Sequence, residues 1–320
     1  MPTLQPDEAI LQTLLYADIF DYPLTPAEIH HYLIALPATR EAVEAALENS
    51  SWLRARIVIH ADYVTLRGRQ ALARLRAERR RSSDRLWQAA RRWSAVLGCL
   101  PFVRMIGVTG ALAVDNAPRG DDIDFLIVTA PGRVWLARGL VVLAVRAARL
   151  LGAGLCPNYV LAESALAQQR RDLFIAHDLA QMVPLVGGQV YRQMRLVNRW
   201  ADEYLPQAGQ PMRDEPEIGL AGWGRQLQRW GEALLGGRVG DRLENWERVR
   251  KLRKFAPEAG QSGSAAELDT ERVKGHFDDH GHPILREFEQ RVAQLKRASS
   301  EPAAPTRRGL LPGLAEEAAD

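Results

Sequence analysis

The segment from Asp122 to Thr129, Asp-Ile-Asp-Phe-Leu-Ile-Val-Thr, most constrains the fold, because it joins two carboxylates to a short apolar run. β-branched and aromatic residues over this length predict a buried strand. Alternate residues of a strand share a face. Asp122 and Asp124 are therefore expected to point the same way, while Ile123, Phe125 and Ile127 pack against helices on the other side.

Two carboxylates this close repel each other unless a cation lies between them. Their hard oxygen atoms favour Mg²⁺ or Mn²⁺, which commonly keep water and substrate phosphates as further ligands. Asp122 and Asp124 are therefore candidate metal ligands.

A glycine turn precedes this strand in the sequence. Thr109-Gly110-Ala111 follows an apolar strand at 103–108 and leads into a predicted helix at 111–116. A glycine lets the backbone approach an anion, and the start of a helix offers free N–H donors. The turn and the carboxylates would thus lie at the ends of neighbouring strands, as metal-assisted phosphoryl or nucleotidyl transfer requires.

The spacing of these elements resembles the signature of the DNA-polymerase-β-like nucleotidyltransferase superfamily. Gly110-Ala111 is followed by ten residues and then by Asp122-Ile-Asp124. The chain is also similar to a group of bacterial nucleotidyltransferase-domain proteins, whose substrates are not assigned. The segments that carry this wider resemblance are 15–24, 109–113, 158–159 and 176–182.

The resemblance implies a mixed sheet with two metal-binding carboxylates on one strand and a third on a neighbour. Glu163 is the best candidate for the third. Asp172 is the second choice, although it is better explained as the cap of the next helix. The nucleotide would lie against Thr109, Gly110 and Ala111, and Arg119 could meet a phosphate or be an ordinary loop arginine.

Two residues depart from the family pattern. Ala111 stands where the family has serine, which removes a hydroxyl donor but keeps the backbone N–H. Asp121 stands where a serine usually precedes the first acid, and it adds negative charge that could tighten cation binding or oppose a triphosphate. Both departures bear on catalytic competence and leave the expected fold unchanged.

The first 67 residues have the pattern of a winged helix-turn-helix. Helices are predicted at 7–17, 26–35 and 39–49, and a hairpin at 55–66. Thr25-Pro26-Ala-Glu28 is a capping-box sequence with proline at the first helical position. Protein contacts or packing on the catalytic domain are the favoured roles of this unit.

The pattern of predicted elements divides the chain into five segments. Strands are expected at 103–108, 124–129 and 158–166, and a helix at 132–151. After residue 170 the pattern is helical, with helices at 172–182, 188–204, 223–255 and 283–297 and loops at 206–222 and 256–268. The segments are a winged-helix-like domain (1–67), an arginine-rich helical connector (68–98), a catalytic core (99–170), a helical region (171–298) and a disordered tail (299–320).

Composition excludes several classes of protein. The 320 residues are 47% hydrophobic and 25% charged with a net charge of +3, which is typical of a globular chain and too small an excess for one coated in nucleic acid. Cys99 and Cys156 show no zinc or disulfide spacing. The first residues do not have the pattern of a secretory signal. Three arginines interrupt the apolar stretch 134–155, so it is not expected to span a membrane.

A cytoplasmic protein with no membrane partner is therefore expected. The sequence leaves open whether the protein forms a homodimer.

DNA binding through residues 1–92 is the lesser alternative for the N-terminal part. The run 67–92 is rich in arginine, but Glu78 and Asp84 make a solvated helix face the simpler interpretation. Recognition helices are usually basic, whereas helix 39–49 carries three glutamates against one arginine. That acidity argues against reading DNA.

Other chemically suggestive residues have simpler explanations. His276, Asp278, Asp279, His280 and His282 have metal-like spacing, but a loop that caps the following helix is favoured. The pair His177-Asp178 is interpreted as structural on a helix, with a position beside the pocket as the alternative. Core packing is preferred to base stacking for the tryptophans at helical spacing, Trp200, Trp223, Trp230 and Trp246.

The sequence therefore predicts an α+β protein: a mixed β-sheet nucleotidyltransferase fold with an N-terminal winged-helix-like domain and a C-terminal helical region. The working hypothesis is Mg²⁺-dependent (or Mn²⁺-dependent) transfer of a nucleoside monophosphate from a nucleoside triphosphate to an acceptor hydroxyl or phosphate. Glu163 would complete the metal shell or act as a base. The alternatives are a non-catalytic regulator or scaffold on the same fold, and a toxin-like enzyme that modifies protein or tRNA.

Overall fold

A computed structural model describes residues 5–259, 268–274 and 281–300 of the chain. The first part of the chain is a small helical unit that ends in an antiparallel hairpin. Its elements are α1 (Pro6–Asp18), α2 (Pro26–His31), α3 (Arg40–Asn49), α4 (Ser51–Arg54), β1 (Ile57–His60) and β2 (Tyr63–Leu66).

Local capping explains where these short helices begin. The hydroxyl of Thr25 accepts a hydrogen bond from the Glu28 amide, and the Glu28 carboxylate accepts one from the Thr25 amide, so the predicted capping box is present. The hydroxyl of Thr39 caps α3 in the same way. Ser50 caps the unpredicted helix α4. The order of predicted helices and hairpin is confirmed, although α2 ends four residues earlier than expected.

The rest of the chain surrounds a mixed sheet of five strands within the described residues. In space the strands follow the order β6-β3-β4-β5-β7, and only β4 and β5 run parallel. The elements are α5 (Ala71–Gly98), β3 (Val103–Val108), α6 (Gly110–Ala113), β4 (Ile123–Thr129), α7 (Val134–Leu150), β5 (Leu155–Ala162), α8 (Leu173–Gln181), β6 (Val183–Val186), α9 (Gly188–Val197), α10 (Ala201–Tyr204), α11 (Gly222–Leu235), α12 (Arg238–Ala259), β7 (Arg272–Lys274) and α13 (Gly281–Ser300).

Strand β4 separates two hydrophobic cores. Phe125 and Ile127 pack with α5 and α7 on one face of the sheet. Leu126 and Val128 pack with α8 and α9 on the other face, together with Tyr16 from α1. The alternation predicted for this strand is confirmed, and Asp124 belongs to the face that α8 covers.

The region after residue 170 is not wholly helical, which corrects the sequence prediction. Strands β6 and β7 lie there and form the two edges of the sheet, so the sheet extends beyond the predicted core of 99–170. Both strands are very short. A run of three or four residues carries too little periodicity to distinguish a strand from a helix, and its pairing partner is decided by tertiary contacts.

Two predicted helices are each divided into two. The predicted helix 188–204 breaks at Asn198, whose side-chain amide donates to the carbonyls of Met194 and Leu166 and so ends α9. The predicted helix 223–255 breaks at Gly236-Gly237, between α11 and α12. Glycine and asparagine favour helix ends because they tolerate non-helical backbone angles. The predicted tail lies mostly outside the described residues.

Most of the tryptophans assigned to core packing are on the surface, so that prediction is wrong for them. Trp223, Trp230 and Trp246 are 70%, 73% and 59% exposed. Trp200 is half-buried and packs against Tyr204. No helix in the described ranges combines the length and apolar character needed to cross a membrane.

A buried ion pair joins the N-terminal unit to the rest of the fold. Arg76 of α5 is 4% exposed and donates to the Glu28 carboxylate at 2.9 Å. The Tyr22 hydroxyl donates to the same carboxylate at 2.7 Å, and the Tyr22 ring lies under the guanidinium. Arg76 also donates to the carbonyl of Val114, directly after α6. One guanidinium therefore holds three parts of the chain together.

Replacing Arg76 with methionine is expected to lower the free energy of unfolding by about 3 kcal/mol, because it leaves the Glu28 charge buried without its partner. Urea unfolding followed by circular dichroism measures the loss. Arg74→Met is the matched control, since Arg74 is exposed on the same helix. The double variant Arg76→Met/Glu28→Gln should recover part of the loss. An equal loss of stability in Arg76→Met and Arg74→Met would contradict the role assigned to the buried ion pair.

Candidate functional site

The pairing of β3 with β4 brings the glycine turn to the aspartates. The two strands are antiparallel, with Val108 opposite Phe125, so the end of β3 meets the start of β4. The amide of Thr109 donates to the carbonyl of Asp124 at 3.0 Å. The sequence prediction that the turn and the acids share one edge of the sheet agrees with this geometry.

Gly110 is the residue that lets this turn approach Asp124. Its φ of +68° lies in the left-handed region, and an added Cβ would stand 2.6 Å from Oδ2 of Asp124. A side chain at position 110 would therefore be strained in its backbone and would collide with the carboxylate. Gly110 and Ala111 begin α6, where the first amides have no partner within the helix.

Asp124 is half-buried, and its environment raises the pKa of its carboxyl group. Burial is the main cause that raises the pKa of Asp124 to about 6, and the charges of Asp121 and Asp122 add to the shift. A hydrogen bond from the thiol of Cys156 opposes the shift. Cys156 lies opposite Asp124 on β5, and burial raises the pKa of this thiol to about 12. The thiol is therefore a neutral donor at physiological pH.

Asp122 lies near Asp124 but is more exposed and does not line the same cavity. Strand β4 begins at Ile123, so Asp122 lies directly before the regular strand. Its side chain is exposed and occupies the space that a Cβ of Gly154 would need. Asp122 remains near enough for its charge to raise the pKa of Asp124.

Asp124 lines a cavity of about 540 Å³ that opens on the α8 face of the sheet. Thr109, Gly110 and Ala111 also line it, as the sequence predicted, and so does Asp121. The cavity has basic, acidic and aromatic walls. Residues that the sequence analysis did not assign to the site include Tyr16, Phe20, Tyr22, Arg79, Asn158, Arg170 and Lys274.

Helix α8 supplies a second carboxylate to the cavity. Asp178 is exposed to solvent, but the protein atoms around its carboxylate desolvate it, and this is the main cause that raises its pKa to about 6. The charges of Asp172 and Asp124 raise the pKa further, whereas those of Lys274 and Arg170 lower it. The predicted alternative for His177-Asp178, a place beside the pocket, is thus the one observed. The two carboxylates of Asp124 and Asp178 influence each other within one cavity.

His177 is a neutral, ordered wall residue. Burial is the main cause that lowers its pKa to about 4. Its Nδ1 lies 2.9 Å from the carbonyl of Leu173, which assigns the proton to Nδ1. The ring stacks on Tyr16 of α1 with centroids 4.1 Å apart. This stack joins the N-terminal unit to the cavity.

Glu163 is not brought to the carboxylates. Because β5 runs parallel to β4 and Ala162 pairs with Thr129, Glu163 follows the end of β5 that is farthest from Asp124. It begins a short 3₁₀ turn after the strand, which ends four residues earlier than predicted. Five residues of strand separate the levels of Asp124 and Thr129, or about 17 Å. Glu163 therefore cannot complete a ligand set with Asp124.

Arg119 and Asp172 occupy ordinary structural positions. Arg119 is exposed in the loop before β4 and does not line the cavity, whereas Arg79 of α5 does. Asp172 caps α8 by accepting from the amide of Ile175 at 3.0 Å, as predicted for it. It also pairs with Arg170. The basic side chains of the cavity thus come from elements distant in sequence, which is why no local motif revealed them.

The histidine-rich segment lies mostly outside the residues that the structure describes. His276, Asp278, Asp279 and His280 lie outside the described residues, and His282 is exposed on α13. Across the described ranges, no three His, Cys, Asp or Glu side chains are arranged to hold a metal ion. A cation at Asp124 would therefore need oxygen atoms from a ligand or from water.

Comparison with known proteins adds no family: a scan of protein-family models, a search of curated proteins and a search of solved structures each found no match. Interpretation therefore depends on the cavity itself. Its volume is that of a small-molecule site. It combines carboxylates, cationic side chains and aromatic rings, which together suit a phosphorylated ligand accompanied by a cation.

Gly110→Ala is expected to destabilise the protein more than Gly120→Ala. Both glycines have positive φ, but nothing lies within 4 Å of a Cβ at Gly120. The shared backbone strain costs about 1 kcal/mol, and only Gly110→Ala adds the collision with Asp124. Thermal unfolding of the two variants measures the cost of the collision between a Cβ at position 110 and the Asp124 carboxylate. Equal losses of stability in the two variants would contradict this collision.

Asp124→Asn is expected to stabilise the protein at pH 7.5 by about 2 kcal/mol. An acid whose pKa is raised on folding weakens the native state as the pH rises from its ordinary value of 3.8 to about 6. The gain should therefore shrink as the pH falls through this window. Denaturant titrations at several pH values test the sign. Asp62→Asn, in an exposed turn, is the control and should show no such trend.

Proposed function

We propose that this protein is a nucleotidyltransferase of the DNA-polymerase-β-like type. It would bind a nucleoside triphosphate with Mg²⁺ or Mn²⁺ and transfer the nucleoside monophosphate to an acceptor hydroxyl or phosphate. The observation that carries the proposal is the approach of Gly110 to the Asp124 carboxylate at the wall of a cavity with basic and acidic side chains. The strand-turn-helix-strand order at 103–129 supports it.

The donor set fits a magnesium ion held partly by substrate. Mg²⁺ is commonly bound by one or two carboxylates, with phosphates and water as the remaining ligands. Asp124 would be the principal ligand, because burial and the charges of Asp121 and Asp122 already raise the energy of its ionised form. Such an ion supplies neutralisation of phosphate charge. Glu163 has no part in this proposal.

The cationic side chains of the cavity would hold the phosphate tail. Arg79 lines the cavity together with Asp121; burial raises the pKa of Asp121, and the positive charge of Arg79 opposes that rise. Lys274 lines it as well, with its ammonium group 5.8 Å from the centre of the Tyr159 ring. The free amides at the start of α6 would add donors to phosphate oxygens. These groups would fix the α-phosphorus for in-line attack.

Asp178 would accept the proton of an acceptor hydroxyl. The acceptor oxygen would form a bond to the α-phosphorus while the bond to pyrophosphate breaks, and the proton would pass to the Asp178 carboxylate. A base works best when its pKa is near the operating pH, and the pKa of Asp178 is about 6. Most Asp178 side chains are therefore ionised at neutral pH yet bind a proton more readily than a free aspartate.

The N-terminal unit is proposed to be a winged helix that has become a wall of the site. Its helices and hairpin follow the order of that fold. Tyr16, Phe20 and Tyr22 line the cavity, which supports packing on the catalytic part rather than a separate DNA-reading surface. A planar base could stack on such rings.

A nucleotide-binding regulator without turnover is the second candidate. Two observations favour it: Asp122 lies outside the cavity wall, and no three-ligand group is present in the described ranges. Calorimetry with each triphosphate, with and without Mg²⁺, tests binding. A transfer assay with α-labelled triphosphates and cell lysate then separates the candidates, since only an enzyme labels an acceptor or releases pyrophosphate. A labelled protein or tRNA would identify the toxin-like alternative.

Asp124→Asn is expected to reduce transfer by about a thousandfold, since the carboxylate that would hold the metal ion is lost and the ion would neutralise phosphate charge in the transition state. Arg79→Gln should raise the KM for the triphosphate by about tenfold through loss of a charged hydrogen bond. Arg119→Gln is the matched control and should leave KM unchanged. Full activity of Asp124→Asn would refute the proposed metal ligand. Equal effects of Arg79→Gln and Arg119→Gln would refute the phosphate role of Arg79.

A further inference from the structure

Helix α11 is amphipathic, but its apolar face is turned away from the protein. Trp223, Leu227, Trp230 and Leu234 follow helical spacing and are 70%, 57%, 73% and 75% exposed. Val239, Leu243 and Trp246 continue the exposed apolar residues on α12. These seven residues are called the outer stripe. An apolar surface of this kind marks an interaction site.

If the outer stripe belonged to the hydrophobic core, its apolar side chains would contact the rest of the protein and the polar side chains of α11 would face solvent. Instead, the polar and small residues of α11 make its contacts with the protein. Gln228 donates to the carbonyls of Gly98 and Val103 at 3.1 and 2.9 Å, and Glu232 accepts from the amide of Phe102 at 2.9 Å. Gly231 packs on Pro101 with no room for a Cβ. These contacts fix the helix with its stripe outward.

Positive charge accompanies the outer stripe. Residues 222–254 contain nine basic and four acidic side chains. The acids are engaged with the protein: Glu244 accepts from the amides of Trp135 and Leu136, Asp241 pairs with Arg133, and Glu247 is buried. The arginines are exposed, namely Arg225, Arg229, Arg238 and Arg242. At 100° per residue, Arg238 and Arg242 border the α12 part of the outer stripe, whereas Arg225 and Arg229 lie on the other side of α11. The α12 part of the surface thus offers apolar side chains bordered by cations.

We propose that the outer stripe binds the surface of an anionic lipid bilayer, with α11 lying in the plane of the interface. Tryptophan and leucine insert at the boundary between headgroups and acyl chains, while arginines bind anionic headgroups. A second copy of the chain is the weaker match, because a symmetric contact would set the arginines of one copy against those of the other. The proposal is independent of the reaction proposed above.

Co-sedimentation with vesicles tests the proposal. The full chain should bind vesicles of equal parts phosphatidylcholine and phosphatidylserine, and it should bind pure phosphatidylcholine more weakly. Trp230→Ser/Leu234→Ser should weaken binding by about tenfold or more. Arg238→Gln/Arg242→Gln should weaken binding to the anionic vesicles and reduce its dependence on salt.

Ile59→Ser is the matched control, because Ile59 is half exposed on the hairpin, outside the outer stripe. Its binding should equal that of the original protein. Circular dichroism establishes that each variant is folded. No binding to anionic vesicles would overturn the proposal, as would equal binding to both vesicle types. A dimer seen by analytical ultracentrifugation and abolished by Trp230→Ser/Leu234→Ser would also overturn it in favour of a second copy.

Discussion

Burial of β4 on both faces is the constraint on which the rest of the structure depends. Its odd-numbered side chains fill one core and its even-numbered side chains fill another, so a shift of one residue in register would expose both sets. Asp124 is the charged member of the even-numbered set. The register that buries Leu126 and Val128 therefore also holds a carboxylate at the edge of the core, where burial raises its pKa.

The N-terminal unit is part of the site rather than an appendage to it. Tyr16 stacks on His177 of α8, and Arg76 ties Glu28 to the backbone that follows α6. A displacement of this unit would change both the aromatic wall and the support of the glycine turn. The shape of the cavity and the stability of the N-terminal unit are thus coupled through the same buried contacts.

Local patterns predicted the parts of the structure that short-range physics decides. The capping residues Thr25, Thr39 and Asp172, the alternation of β4 and the turn at Gly110 all follow from neighbours within a few residues. Glu163 was a wrong choice because strand direction and pairing, which local patterns do not encode, set the end of the sheet at which it lies. The prediction that Trp223 and Trp230 pack in the core was wrong for a related reason. Helical periodicity identifies an apolar face of a helix, but it does not show whether that face contacts the core or the solvent.

By itself, the sequence determined the mixed α+β composition, the strand with its aspartates and the glycine turn beside it, since each follows from residue spacing and local backbone preference. Tertiary structure alone decided that Asp124 lines a cavity, that Asp122 lies against Gly154, and that Arg79, Asp178 and Lys274 line the same cavity as Asp124. The physical reason is that these side chains meet through long-range packing of β7, α5 and α8 around the sheet. Such contacts depend on register and helix orientation, which are properties of the whole fold.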